Sequence, residues 1–371
     1  MIITLEPGAP KDIVDAVLRV ASRFKDVQPK THVFTGTTHT VTEVHLLGTT
    51  QTVPTSTFED LPGVRRVVRV STKYRLIGRH GRSETPGFEY NFGFNYNGVR
   101  FDDATLNVFA GLCAVDTREN VDAMMAAVSA AGLATTRMGV YKPRTSPYDF
   151  QGLGKECLPW VFELAGRHGI KVIAMEVTDA RHLEEIRTAL EASGKATGVM
   201  LQIGTRNAQN FELLKHVGQQ HELPVLFKRG MGITLEESLN ACEYVASEGN
   251  PNIVFCLRGV KTHLGEPHRN LVDFAHVPVV RRQTRLSVCV DPSHSVGRAD
   301  AAPDGIPDIF HVTSQALIVG ASMVLIDFHP HPAAALCDGP QALTLPQLPV
   351  FLEHVRRVRA AYLDLVALRA A

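Results

Sequence analysis

The chain has 371 residues, 44% of them apolar and 20% charged, with 38 Lys plus Arg against 38 Asp plus Glu. That composition belongs to a soluble globular protein, and the length to one large domain with a smaller one. A zero charge balance gives no reason to expect a nucleic acid or an anionic membrane as partner, so any anion site must be a local cluster of cations. No apolar run approaches the ~20 residues of a membrane span. The opening MIITLEPGAPKDIVDAV has no basic stretch leading into an apolar core and cleavage site, so no signal peptide is read. Six scattered cysteines without a CxxC pair read as reduced thiols of a cytoplasmic protein, most of them buried. Cys256 and Cys289 sit in apolar runs and read as core.

In chain order, residues 1–75 read as a small α/β unit. MIITL is a strand, and DIVDAVLRVASRF has apolar residues at helical spacing. THVFTG and TVTEVHLLG are strand-like around a threonine-rich turn, FEDLPGV is a short helix, and VRRVVRVS a strand. The order is that of a split βαβ unit. Residues 76–104, rich in Gly, Asn, Arg and aromatics, read as a linker with a hairpin.

From residue 105 to 371 short apolar runs alternate with helical stretches. The predicted strands are 106–110, 133–139, 171–177, 198–204, 223–228, 252–258, 286–291 and 321–327. Near-continuous apolar runs suit parallel strands buried on both faces. Eight β/α units in this length predict a closed (β/α)8 TIM barrel. An open doubly wound sheet is the alternative, but GxGxxG and a phosphate loop ending in GK[ST] are both absent.

The polar residues gather where these strands end. Cys113 follows the first; Arg137 closes the second, with Lys142 and Arg144 beyond; Glu176 ends the third; Arg206 follows the fourth. Lys228 ends the fifth, Arg258 the sixth, Asp291 the seventh with His294 after it, and Asp327 the eighth with His329 and Asp338 beyond. The opposite strand ends carry no such series. In a barrel these positions meet at the rim where barrel enzymes keep their sites. Six converging cations (Arg137, Lys142, Arg144, Arg206, Lys228, Arg258) call for phosphate or carboxylate ligands, which guanidinium forks bind bidentately. Cys113, His294, Asp327 and Asp338 form a mixed set suited to a divalent transition metal.

Five blocks then stand out in order: KPRTSPYDFQG (142–152), LQIGTRNAQNFELLKHVG (201–218), LFKRGMGITLEESLNACEYV (226–245), CVDPSHSVGR (289–298) and ALCDGPQAL (335–343). They resemble the 3-deoxy-D-arabino-heptulosonate-7-phosphate (DAHP) synthases of the type I beta branch, related to 3-deoxy-octulosonate-8-phosphate synthase. Residues 1–75 look like that branch's ferredoxin-like domain, a regulatory or assembly module, and VRRVVRVSTKYRLIGR like its entry into the barrel. The resemblance implies condensation of phosphoenolpyruvate with erythrose 4-phosphate at the start of the shikimate route to aromatic amino acids. It implies metal ligands Cys113, His294, Asp327 and Asp338, with Mn2+ expected first and Co2+, Fe2+ or Zn2+ as alternatives. Arg137, Arg206, Lys228 and Arg258 would hold phosphoenolpyruvate; Lys142, Arg144 and Thr145 the aldehyde substrate; Lys142 or His294 would act as acid. It further implies an aromatic amino acid as inhibitor and a homo-oligomer, expected to be a tetramer.

Four positions depart from the pattern. Gly111-Leu112-Cys113 stands for Gly-Pro-Cys, Cys256-Leu257-Arg258-Gly259 for Cys-Glu-Arg-Gly, Asp116 for a glutamate, and Asp327 for the metal-binding glutamate, one methylene shorter. They leave room for a paralogue with another sugar aldehyde, or for a regulatory homologue with weakened catalysis.

Overall fold

The structure, a computed structural model, describes residues 1–35, 40–70, 74–79 and 93–369. It divides into two compact units, one of residues 1–94 with 283–285, the other of 95–282 with 286–371.

In the first unit, β1 (Ile2–Leu5), β2 (Val27–Thr35), β3 (Thr40–Gly48) and β4 (Val64–Val68) form a sheet of order β2-β3-β1-β4. β1 lies antiparallel to both β3 and β4, and β2 to β3. Helix α1 (Lys11–Ala21) turns Ile13, Val14, Val17, Leu18 and Ala21 onto the sheet, where Ile3, Leu5, Val44 and Leu46 receive them. This 3,4-spaced stripe is the expected core face of a surface helix. The second helix, α2 (Ser56–Glu59), begins two residues before the predicted FEDLPGV segment and stops at Glu59, because Pro62-Gly63 cannot extend it. Phe58 is its one buried anchor. The result is the ferredoxin-like α+β arrangement. Part of the threonine-rich turn (36–39) and part of the linker (80–92) lie outside the described residues.

The hairpin expected within 76–104 consists of β5 (Phe94–Tyr96) and β6 (Val99–Phe101). Its turn is Asn97-Gly98, with φ of 45° and 79°. Both central residues at positive φ make the type I′ turn that matches strand twist.

Eight strands then close a parallel barrel: β7 (Asn107–Leu112), β8 (Thr135–Met138), β9 (Val172–Val177), β10 (Gly198–Ile203), β11 (Val225–Lys228), β12 (Ile253–Leu257), β13 (Ser287–Val290) and β14 (Met323–His329). Each pairs with the next, and β14 returns to β7. A short β15 (Leu343–Thr344) pairs with the end of β14. Between and after the strands run α3 (Arg118–Ala130), α4 (Leu158–Arg167), α5 (Arg181–Ala192), α6 (Phe211–Gly218), α7 (Leu235–Ser247), α8 (Val277–Gln283), α9 (Pro292–Val296), α10 (Asp308–Ile318) and α11 (Leu348–Ala367). Helix α7 starts on a reciprocal capping box between Thr234 and Glu237. Cys256 and Cys289, adjacent in register on β12 and β13, are fully buried core residues. All six cysteines are free and buried.

The two ends of the barrel are finished differently. Tyr96 of the hairpin accepts a hydrogen bond from Val199 N at 3.0 Å, and Asn97 donates to Lys171 O at 2.7 Å. The hairpin thus packs on the amino ends of β9 and β10. The carboxyl ends stay open around a cavity. Among the described residues no helix is long and apolar enough to cross a membrane.

Candidate active site

Neighbouring strands deliver the site in rows. Asp327 (β14), Gly111 (β7) and Arg137 (β8) share one row of the barrel wall. The middle position has no side chain, so Arg137 reaches across it to form a buried ion pair with Asp327. A Cβ at 111 would run into the Arg137 backbone. Glu176 (β9) and Gln202 (β10) are also register partners, and Gln202 donates to Glu176 at 3.3 Å. Lys228, the last residue of β11, forms a buried ion pair with Asp291, the cap of α9.

Around Cys113 lie the residues suited to a metal. Its Sγ is 3.1 Å from Asp338 Oδ2, 3.7 Å from His294 Nε2 and 4.0 Å from Cys337 Sγ. His294 Nε2 is 3.6 Å from Asp338 Oδ2. The other ring nitrogen, Nδ1, sits 3.1 Å from Asp291 Oδ1 and 3.6 Å from Asp327 Oδ2. Asp291 therefore orients the ring and leaves Nε2 facing the thiol, as outer-shell carboxylates do for metal-binding imidazoles. Burial opposes a charged imidazole here, but Asp291 above all lifts the His294 pKa to about 10 without a metal. Asp338 has φ of 54°, a left-handed conformation in which Asp is enriched. Its ionisation is held far below the usual carboxylate range; burial opposes this, but His294 and Arg269 outweigh it. Two sets, Cys113–His294–Asp327 and Cys113–Cys337–Asp338, each have ligand atoms within 4.8 Å of one another. Thiol, imidazole and carboxylate donors of this kind fit a divalent transition metal.

Next to this cluster is a cavity of about 200 Å³. Lys142, Arg144, Arg206, Lys228, Arg258 and Arg269 line it, against three carboxylates, Asp149, Glu176 and Asp338. Lys142 Nζ lies 3.3 Å from Cys113 Sγ and 3.5 Å from Glu176 Oε2. Burial alone would discharge it, but Cys113 and Glu176 raise its pKa, so it remains protonated. Arg206 donates to Thr145 at 3.1 Å, and Arg144 pairs with Asp149 at 3.3 Å. Arg258 is 3% exposed, and its Nε has no hydrogen-bond partner. A buried guanidinium nitrogen without an acceptor is costly, and an anion in the cavity would satisfy it.

The sequence-predicted residues thus come together, with adjustments. Four of the six converging cations have protein carboxylates for neighbours: Arg137 with Asp327, Lys142 with Glu176, Arg144 with Asp149, Lys228 with Asp291. The cluster is less bare than the sequence implies. Arg137 points at Asp327 and Cys113 (3.6 Å) and does not line the cavity. His329, a strand-end residue by sequence, bonds Asp116 at 2.8 Å, away from the cavity. Arg269, Gln341 and Cys337 are additions. Arg269 arrives through a loop folded back by the Val260–Leu271 bridge, and it binds Asp338 at 3.0 Å and Gln341 at 2.9 Å. No strand-end position flags it. Cys337 reads as one more scattered thiol until the chain brings it beside Cys113.

A (β/α)8 barrel with a cationic cavity beside a metal-competent cluster defines the class as a barrel enzyme for anionic substrates. Residues 94–363 match the DAHP synthetase I family, and residues 1–72 the DAHP synthase ferredoxin-like domain. The chain belongs to the DAHP synthetase I family of enzymes. It is 34% identical over 361 residues to the phospho-2-dehydro-3-deoxyheptonate aldolase of Thermotoga maritima, covering 97% of this chain and 98% of that one. A crystal structure of the DAHP synthase from Thermotoga maritima superposes with a TM-score of 0.69 at 32% identity, covering 97% of both chains. A 2-dehydro-3-deoxyphosphooctonate aldolase from Bradyrhizobium sp. (strain BTAi1) is 28% identical over 273 residues, 69% of this chain and 90% of that one.

Proposed function

We propose that the chain condenses phosphoenolpyruvate with erythrose 4-phosphate in the cytoplasm, releasing phosphate and 3-deoxy-D-arabino-heptulosonate 7-phosphate, with a divalent metal ion at the barrel mouth. The observation that carries this reading is the cavity's excess of cations, with Arg258 Nε unsatisfied, directly beside the Cys113–His294–Asp338 cluster.

Lys228, Arg258 and Arg206 bind the phosphate and carboxylate of phosphoenolpyruvate. Arg137, ion-paired with Asp327 and off the cavity lining, backs this group from the barrel wall. Arg144 and Thr145 hold the phosphate of the aldehyde. Fixing two anions side by side offsets their repulsion and the entropy of their encounter. Carbon 3 of the enol attacks the aldehyde carbon, and Lys142, protonated at the cavity wall, donates a proton to the aldehyde oxygen. Positive charge then builds at carbon 2, where Glu176 and Asp338 face the cavity; water adds there and phosphate leaves by C–O cleavage. Cys113, His294 and Asp338 would hold the ion, with the fourth ligand from Asp327 or Cys337. A bound ion supplies Lewis acidity to the aldehyde carbonyl. With Nε2 of His294 turned to the ion, Lys142 is left as the acid.

Purified protein supplied with a divalent metal, phosphoenolpyruvate and a panel of aldehydes tests this. Phosphate release with erythrose 4-phosphate, and with no other acceptor, is the expected result; no release with it would end the reading. Turnover with a different sugar aldehyde alone would favour the paralogue reading, which Asp327 and Leu257 motivate.

The ferredoxin-like unit acts as a sensor of an aromatic amino acid on a homotetramer. Removing residues 1–75 is expected to leave turnover in place and abolish inhibition by tyrosine or phenylalanine. Inhibition that survives truncation would reassign the unit to assembly.

A further inference from the structure

We propose that Cys337, in place of Asp327, is the fourth ligand of the metal site, so that the ion is held by two thiolates, one imidazole and one carboxylate. This inference rests on the metal-dependent reading above and specifies its ligand set.

The distances favour it. Cys113 Sγ, Cys337 Sγ, His294 Nε2 and Asp338 Oδ2 have separations of 4.0 Å (Cys113–Cys337), 3.7 Å (Cys113–His294), 3.1 Å (Cys113–Asp338), 3.2 Å (Cys337–Asp338) and 3.6 Å (His294–Asp338). Metal bonds of about 2.3 Å to sulfur and 2.0–2.2 Å to nitrogen or oxygen give a tetrahedron with edges of roughly 3.3–3.8 Å. Five of the six edges of such a tetrahedron lie within about half an ångström of that range; Cys113, Cys337 and Asp338 form one compact set of ligand atoms, and Cys113, His294 and Asp327 another.

Asp327 is engaged elsewhere. One carboxylate oxygen is in the ion pair with Arg137, and the other accepts from Gln341 Nε2 at 2.6 Å. It faces the Nδ1 side of His294, at 3.6 Å, where Asp291 already occupies the nitrogen. The ligand nitrogen is Nε2, which faces Cys113 and Asp338. With both oxygens held, the short aspartate side chain has little reach to leave Arg137 and Gln341 for that side.

Charge points the same way. Two thiolates and a carboxylate exceed a divalent ion by one negative charge. Each of these three ligands has its own cation: Lys142 at 3.3 Å from Cys113, Arg144 at 2.6 Å from Cys337, and Arg269 at 3.0 Å from Asp338 Oδ1. Soft thiolate pairs select zinc and similar ions over manganese.

The test uses the full chain, kept reduced with a phosphine and loaded with Co2+. Sulfur-to-cobalt charge transfer in the near ultraviolet counts thiolate ligands. Cys337→Ser is expected to lose about half of that absorbance and to weaken Zn2+ relative to Mn2+ in competition, because one soft ligand is gone. Cys337→Asp restores binding at the one-thiolate intensity, which separates a ligand role from a packing role. Asp327→Asn keeps the wild-type band. Unchanged absorbance in Cys337→Ser overturns the proposal, as does loss of the ion in a folded Asp327→Asn. A wild-type chain that binds cobalt through one thiolate sinks this ligand set alone; a chain that takes up no metal sinks the metal-dependent reading with it.

Discussion

The same eight strands end in opposite ways. Their first residues, Asn107, Thr135, Val172, Gly198, Val225, Ile253, Ser287 and Met323, include no charge, and the β5–β6 hairpin packs on part of that end. At the other end Arg137, Glu176, Lys228, Arg258, Asp291 and Asp327 are all buried at or next to the strand ends. One end is assembled like any core, and the other buries charges that fold no better for being there. Buried ion pairs seldom repay their desolvation, so charges concentrated at one end are read as the cost of a site. The contrast predicts that substitutions at the mouth remove function while the bottom controls stability.

Four variants would break or sharpen that contrast, from the largest expected effect to the smallest. Cys113→Ala should lower turnover by about a thousandfold or more and abolish stoichiometric metal uptake, since a metal site tolerates loss of a ligand poorly. Turnover and metal content after reconstitution check it; retained turnover would show the ligand set to be wrong. At the bottom, Met323→Ala empties space at a side chain 1% exposed and should destabilise the fold by about 2–5 kcal/mol in denaturant titration. The activity of the folded fraction should stay within about twofold, because the side chain is a strand's length from the cavity.

Gly204→Ala lies between these. A Cβ there would meet Glu176 Oε1, so the carboxylate must move away from Lys142. A fall of about 10–100-fold in kcat/KM, or roughly 1.4–2.7 kcal/mol of transition-state binding, is expected with little change in unfolding midpoint. Parallel losses of stability and activity would erase the distinction between the two ends.

The smallest effect concerns pH. Asp116 is held below its ordinary pKa; burial opposes this, but its hydrogen bond with His329 outweighs it. A lowered folded-state pKa means that this stabilisation is present above the unfolded value near 3.8 and is lost as pH falls through the folded one. Asp116→Asn should therefore flatten the acid limb of the stability profile below about pH 4 and lower stability near pH 7, where the ionised carboxylate contributes. A chain whose acid limb is the same in this variant has its pH dependence elsewhere.

The strand series was legible because parallel barrel strands are buried on both faces and read as apolar runs. All eight predicted runs overlap the observed strands and extend one or two residues past them at one end or both; the first and the last also stop two residues short at the other end. The rim cations and Cys113, His294 and Asp338 were legible for a related reason: charged residues closing apolar runs have few structural uses. The α2 helix begins two residues before the predicted segment and ends five residues before that segment does, because its only core contact is Phe58 and a single anchor sets no period.

What the sequence determined by itself was the list of chemical groups and the ring that gathers them, since both follow from local patterning along the chain. The tertiary structure alone decided the partnerships. Arg137 is taken by Asp327 because Gly111 leaves the row between them open, and Cys337 meets Cys113 across 224 positions of chain. Arg269 enters through a folded-back loop with no strand end to announce it. Such pairings depend on which side chains share a row or a rim after closure, and contacts between distant segments leave no periodic trace in a single sequence.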